Sequence, residues 1–336
     1  MDPVALARRF VDIPSLTGEE GPMAEASAAV LREAGFAVQL LAVAPGRANV
    51  LATLEPPRVL FCTHLDTVPP YFPAREDGDW LYGRGSCDAK GILAAMTVAA
   101  ATLVQEGVRD LGLLFVVGEE TDSIGAKHAN ATLELGSVRY TLVGEPTDSR
   151  FARAQKGGLK FTLRLQGTAA HSGYPEQGRS AVLALLELLQ AIDTADWGED
   201  PELGRGSANI GVLRGGVAAN VVPARAEAEI HVRVVDSVAA VRQRLEALCA
   251  RSRLPAEWSV ETANEPQQLM VLPGAPETVV AFNTDVAHLQ HFGQKLLCGP
   301  GSILVAHGAE ERLSKNELRA AVQLYRRAAL HLRAMP

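Results

Sequence analysis

Two near-continuous apolar runs, residues 59–63 and 111–117, constrain this chain most, together with the Ala-rich stretch 91–103 between them. The runs have strand length and the stretch has helix length. Strands apolar on both sides need cover on both faces, and strand–helix–strand order supplies it as a parallel α/β sheet. The first run, "VLFCTHLDTVPP", passes straight into His64-Leu65-Asp66 and two prolines. Residues i and i+2 at a strand end point the same way, and in open α/β sheets that rim is where sites are built.

At 336 residues the chain can hold one large or two ordinary domains. Residues 1–152 read as the first part of the α/β domain. Thr17-Gly18-Glu19-Glu20 reads as a capping box ahead of a helix reaching about Phe36, and 49–54 reads as a further strand. Residues 153–264 change pattern. Leu159, Phe161, Leu163 and Leu165 alternate with Lys160, Thr162, Arg164 and Gln166, as in a half-buried strand. A helix follows through Ala181, Leu185, Leu188 and Ile192, then strands near 207–214 and 223–234, a helix near 237–252 and a strand near 257–262. That β-α-β-β-α-β order predicts an inserted ferredoxin-like domain. Residues 265–336 return to the first domain and end in a helix near 314–334.

Net charge −7 leaves no basic stripe for nucleic acid, and no apolar run approaches the ~20 residues of a membrane span. The first residues lack the apolar core of a signal peptide. The four cysteines lie far apart, without the spacing of a thiolate zinc site, so the expected setting is reducing and cytoplasmic.

Five places put metal-type ligands just past apolar strands or in short polar turns. They are His64 with Asp66, Asp88 in "YGRGSCDAKG", Glu119-Glu120 in "LLFVVGEETDSIGAK", Glu145 in "YTLVGEPT" and His307 in "GPGSILVAHGAEE". Neutral imidazoles and carboxylates suit a zinc-like ion, and two His with three carboxylates can hold two ions. Asp66 is placed to accept a hydrogen bond from the His64 ring nitrogen that does not face metal. Of the adjacent glutamates, one can bind metal while the other serves as a general base. Each residue also has an ordinary use alone: Asp88 as a helix N-cap, Glu145 as a turn residue before Pro146, His307 in a solvated loop. His288 and His291 are spaced i, i+3 on an expected helix but lack a partner motif; His128, His231, His331, Cys62 and Cys87 read as structural. "GRGSCD" lacks the third glycine of a dinucleotide loop.

These motifs, with "GTAAHSGYPEQGRSA" and "GGVAANVVPARAEA", resemble the di-zinc deacylase and carboxypeptidase family of acetylornithine deacetylase, succinyl-diaminopimelate desuccinylase, aminoacylase and glutamate carboxypeptidase. The resemblance covers essentially the whole chain. It implies a zinc-peptidase-like catalytic domain with a mixed, mostly parallel sheet, plus an inserted lid and dimerisation domain. It implies two divalent ions, zinc foremost and cobalt as an alternative, with His64 and Glu145 on one, Glu120 and His307 on the other and Asp88 bridging. Glu119 would be the general base and Asp66 the orienter of His64. His171 would stabilise an oxyanion in the partner subunit of a homodimer, with Asn220, Arg233 and Tyr174 near substrate and Arg233 on its carboxylate. His231 stands where the family often has Asp, and Asn283-Thr284-Asp285 where it commonly has Gly-Thr and an acidic residue. The expected activity is hydrolysis of an N-acyl amino acid, acetylornithine deacetylase-like. The alternatives are a di- or tripeptidase or glutamate-type carboxypeptidase on short peptides, and, in another class, a non-catalytic metal-containing binding protein.

Overall fold

A computed structural model describes residues 1–335. In chain order the main elements are α1 (Pro3–Val11), α2 (Gly21–Glu33), β1 (Ala37–Ala44), β2 (Arg47–Thr53), β3 (Val59–His64), α3 (Lys90–Gln105), β4 (Leu111–Val116), α4 (Ile124–Thr132), β5 (Tyr140–Val143), β6 (Gly157–Gln166), α5 (Ala181–Asp193), β7 (Ser207–Gly215), β8 (Arg225–Val234), α6 (Val238–Cys249), β9 (Ala256–Asn264), β10 (Gln294–Leu297) and α7 (Lys315–Ala334). They form two compact units. One comprises Met1–Arg153, Leu269–Thr278 and the chain from Thr284 onward; the other comprises Ala154–Gln268 and Val279–Asn283.

The first unit is built on a six-stranded sheet of order β1-β2-β4-β3-β5-β10. β3 runs parallel to β4 and β5, and β10 parallel to β5, whereas β1–β2 and β2–β4 are antiparallel. Every residue of β3 and β4 is buried, as apolar strands covered on both faces require. α3 is buried almost all round because it packs on β3 and β4 and also against α1 and α7. Its Lys90 is fully buried and donates from Nζ to the Ile13 carbonyl oxygen at 2.6 Å. Among the described residues no helix is long and apolar enough to cross a membrane.

One local expectation fails. The capping box does not form: α2 begins after Glu20 with no side-chain cap bond. Thr17 Oγ1 instead donates to Asp66, and Glu20 takes a bidentate pair of bonds from Arg47 at 2.7 and 2.8 Å. A charge-assisted fork outweighs a single cap bond. The strand expected at 49–54 is the second arm of a hairpin, whose first arm β1 is half exposed and carries no clean alternation.

In the second unit an antiparallel sheet of order β7-β8-β6-β9 carries α5 and α6. Leu159, Phe161, Leu163 and Leu165 pack with Ala228, Ile230 and Val232 against Leu185, Leu188 and Leu245. The chain order is the ferredoxin-like β-α-β-β-α-β. The sequence gives the return to the first domain at 265, yet Val279–Asn283 belongs with the second unit, where Val280 accepts a main-chain bond from Lys156. Five residues without periodicity carry no signal of that detour.

Candidate metal and catalytic site

β3 delivers His64 at its last residue, opposite Val116 at the end of β4. From these parallel strand ends, from the turns after β5 and before α3, and from the loop between β10 and α7, six side chains converge. His64 Nε2 lies 3.0 Å from Asp88 Oδ1 and 3.9 Å from Glu145 Oε2. His307 Nε2 lies 3.4 Å from Asp88 Oδ2 and 3.0 Å from Glu120 Oε2. Asp88 therefore faces both imidazoles, one with each oxygen. Ligand atoms of His64, Asp88 and Glu120 all lie within 4.8 Å of one another. His64, Asp88 and Glu145 are buried, while the His307 side chain is 50 % exposed.

Asp66 does more than the sequence suggests. His64 Nδ1 lies 3.0 Å from the Asp66 backbone oxygen and 3.5 Å from its carboxylate. The Asp66 carboxylate also accepts from the amides of Gly118, Glu119 and Glu120 at 3.0 to 3.2 Å and from Thr17 Oγ1 at 2.8 Å. Its main task is to fix the turn that carries the glutamate pair; the His64 ring is held chiefly by a carbonyl.

Burial pushes the Glu119 and Glu145 carboxyls well above the usual carboxylate range, and Glu145, Asp285 and Glu120 add repulsion at Glu119. Burial raises Glu120 too. Burial would also raise Asp88, but hydrogen bonds from His307 and His64 hold it well below that range. Donating to Asp88 and Glu120 pushes His307 up to about 10. Four buried or part-buried carboxyl groups crowd two imidazoles here, and their repulsion is what divalent cations would relieve. The donor set, nitrogen and oxygen without thiolate, suits a zinc-like ion.

Asp285 joins this acidic cluster. It is 2 % exposed, neither carboxyl oxygen makes a well-formed hydrogen bond, and burial, only partly offset by Ser123, pushes it from an ordinary 3.8 to about 7. Because the folded value is the higher one, its neutral form supports folding below about pH 4, and that support is lost as pH rises to about 7. At about 1.4 kcal/mol per unit, D285N, which mimics the neutral acid, raises the Tm of the metal-free protein at pH 8 by about 5 °C. At pH 4 it leaves Tm near wild type; thermal scans giving equal shifts at both pH values contradict the assignment.

The remaining candidates lie in the second unit and fall into two groups. His171, Tyr174 and Asn220 are together: His171 bridges to Val221, the Asn220 carbonyl accepts from Ser172 N at 3.0 Å, and the His171 and Tyr174 rings are 6.3 Å apart. They extend from the sheet end where Arg225 pairs with Gln166. Arg233 pairs with Gly158 at the opposite end of β8, eight positions along, roughly 25 Å at ~3.3 Å per residue. Its Nη1 donates to Asn283 Oδ1 at 2.7 Å. Asn220 thus groups with His171, and one copy of this unit cannot present both groups to one small substrate. His231, beside Arg233 on the same face, has an unpartnered buried Nε2, and burial lowers it to about 4. His288 ends a short 3-10 turn, Asp285–His288, so the helix expected to carry His288 and His291 is not there.

Two charged residues of the site escape sequence reasoning. Arg84 and Glu311 form a fully buried ion pair, and Glu311 Oε1 also accepts from the amides of Gly85, Cys87 and Asp88 at 2.9 to 3.1 Å. Both sit inside quoted motifs, Arg84 in "GRGSCD" and Glu311 four residues after His307, but nothing in their spacing marks a charge for burial.

Residues 60–331 match the profile of peptidase family M20/M25/M40. A peptidase M20 domain-containing protein of Schizosaccharomyces pombe is 36% identical over 98% of this chain and 84% of its own length. A probable carboxypeptidase of Aspergillus flavus is 36% identical over 95% of this chain and 85% of its own. An M20 family metallo-carboxypeptidase of Sulfolobus solfataricus shares the fold at a TM-score of 0.80 and 15% identity, each chain covered over 100%. The mixed α/β fold agrees with these matches, and the chain belongs to peptidase family M20/M25/M40 and is a hydrolase.

Proposed function

We propose that this hydrolase is a dinuclear metallopeptidase that releases a C-terminal amino acid from short peptides. The carrying observation is the convergence of His64, Asp88 and Glu145 with Glu120 and His307 about one shared carboxylate, with Glu119 beside them. His64 and Glu145 would hold one cation, Glu120 and His307 the other, and Asp88 both. When bound, two such cations lend Lewis acidity to a carbonyl and make a water easier to deprotonate. The Glu119 carboxylate takes the proton from the attacking water and returns it to the departing nitrogen. A C-terminal peptide bond and an N-acyl amino acid present the same linkage, an amide nitrogen one carbon from a carboxylate. The identity with proteins named carboxypeptidases favours the peptide over acetylornithine.

Arg233 would receive the substrate carboxylate, its guanidinium steadied by Asn283. Losing a charged hydrogen bond worth roughly 1.5–3 kcal/mol, R233A raises KM by about 10–100-fold with kcat little changed, in steady-state kinetics on a dipeptide. A kcat loss at unchanged KM refutes that role. His171 and Asn220, at the far end of the sheet, would act on a second copy's substrate, where His171 stabilises the oxyanion. A homodimer through this unit fits its surface: β7 is an edge strand, and Leu183, Leu186 and Leu213 are about half exposed on it and on adjacent α5. Sedimentation equilibrium of the full chain checks it; a monomer at micromolar concentration removes the trans role of His171. All four cysteines are free, in keeping with a reducing, cytoplasmic setting.

The test is metal content coupled to a substrate panel. Protein reconstituted with zinc or cobalt is assayed on dipeptides, N-acetylornithine, N-acetylcitrulline and N-succinyl-diaminopimelate. Dipeptide turnover with two bound equivalents is the expected result; turnover confined to the acylated amino acids reassigns the enzyme to deacylation.

A further inference from the structure

We infer that Glu311 is the positioning residue for Asp88, acting through the backbone of residues 85–88, and that with Arg84 it ties the Asp88 loop to the His307 loop. The inference rests on the metal reading above and adds a residue to it. Glu311 is fully buried, yet its carboxylate is not among the clustered ligand atoms of His64, Asp88 and Glu120. Its Oε1 accepts from Gly85 N at 2.9 Å and from Cys87 N and Asp88 N at 3.1 Å. Its other oxygen takes Arg84 Nη1. Arg84 is itself pinned: Nε donates to the Pro70 carbonyl at 3.2 Å, Nη2 reaches the His307 carbonyl at 3.4 Å, and its guanidinium lies 5.0 Å from the Phe72 ring centre. The loop closes back on Glu311 as well, where Gly83 N donates to the Glu311 carbonyl.

The physical need is plain. Residues 83–89 are buried but belong to neither helix nor strand; the Gly83, Arg84 and Ser86 amides find backbone carbonyls, and those of Gly85, Cys87 and Asp88 are satisfied from a side chain. A carboxylate offers enough lone pairs for three amides and a guanidinium at once; a carboxamide or hydroxyl does not. Gly85 sits at φ 88°, and a Cβ there would lie 2.8 Å from the Lys90 side chain, so the loop packs tightly on Lys90 at this point. The charge of Glu311 is balanced by Arg84, so it aims Asp88 without adding to the negative charge of the site. Through Asp88 and His307 together, the clasp bears most on the cation held by Glu120 and His307.

The test titrates metal-free full-length protein with cobalt(II), followed by visible absorption. Wild type takes two equivalents. In E311Q the second equivalent weakens by about 10–100-fold while the first stays within a few-fold, the range for groups that orient a ligand. E311Q leaves Arg84 without its charge partner, so R84M/E311M is made beside it; an apolar pair of like volume can replace a buried ion pair without loss of fold. That double variant also loses the second equivalent, because the amides still lack an acceptor. In unaltered metal-free protein, the Gly85, Cys87 and Asp88 amides exchange with deuterium as slowly as those of α3. Wild-type cobalt affinity in either folded variant, or exchange of these amides at exposed-loop rates, overturns the inference. A wild-type protein that binds no cobalt overturns the metal reading beneath it instead.

Discussion

Glu119→Gln lowers kcat by about 10²–10⁴-fold, the usual worth of a positioned general base, while the protein still binds two equivalents of metal. Burial of the Glu119 carboxyl, with repulsion from Glu145, Asp285 and Glu120, lifts it well above the ordinary range. A carboxyl so placed gains protons easily, as a base must, and nearby cations would draw it back toward neutral pH. Glutamine keeps the volume and polarity but cannot take a proton. Its backbone amide remains bonded to Asp66, so the turn should hold its shape. The checks are steady-state kinetics and elemental analysis on the same sample. Unchanged turnover would falsify the assigned base, and loss of metal along with activity would move Glu119 among the ligands.

Asp88→Ala has the second large effect. Asp88 is the group facing both imidazoles, with one oxygen 3.0 Å from His64 and the other 3.4 Å from His307. Its removal deprives both proposed cations of a ligand and leaves the remaining carboxyls without the unit that joins the two halves. Affinity for both equivalents falls beyond the roughly 100-fold that orienting groups command, and peptidase activity drops to background. Isothermal titration with zinc reads the first and a dipeptide assay the second. If D88A retains both metals with wild-type affinity, Asp88 is not shared. The metal-free variant loses stability too, since buried His64 no longer has its charged partner, whose hydrogen bond together with that of Asp66 holds the imidazole's affinity for protons well above ordinary.

The strands that build the site were readable because burial on both faces leaves an unmistakable apolar run, as in β3 and β4. Period-2 alternation made β6 just as plain, down to which residues face the helices. β1 was not, because its half-exposed edge position imposes no pattern, and the capping box was misleading because Arg47, distant in sequence, competes for Glu20. The site candidates came from residue type just past apolar strands, and from family likeness where type alone left choices open. Asp66 shows the limit: its place after β3 is local, but its three amide donors belong to a turn some fifty residues away.

By itself, then, the sequence determined the strands and helices with a strong pattern, such as β3, β4, β6 and α3, and which ionisable side chains stand just past apolar strands, because each depends on neighbours two to four residues away. Only tertiary structure decided that Asp88 faces both imidazoles, that Glu311 and Arg84 are buried beneath its loop, and that His171 and Arg233 lie at opposite ends of one sheet. Those facts depend on pairing and burial between residues far apart in the chain, and hydrogen bonding and electrostatics act through space with no local periodicity to announce them.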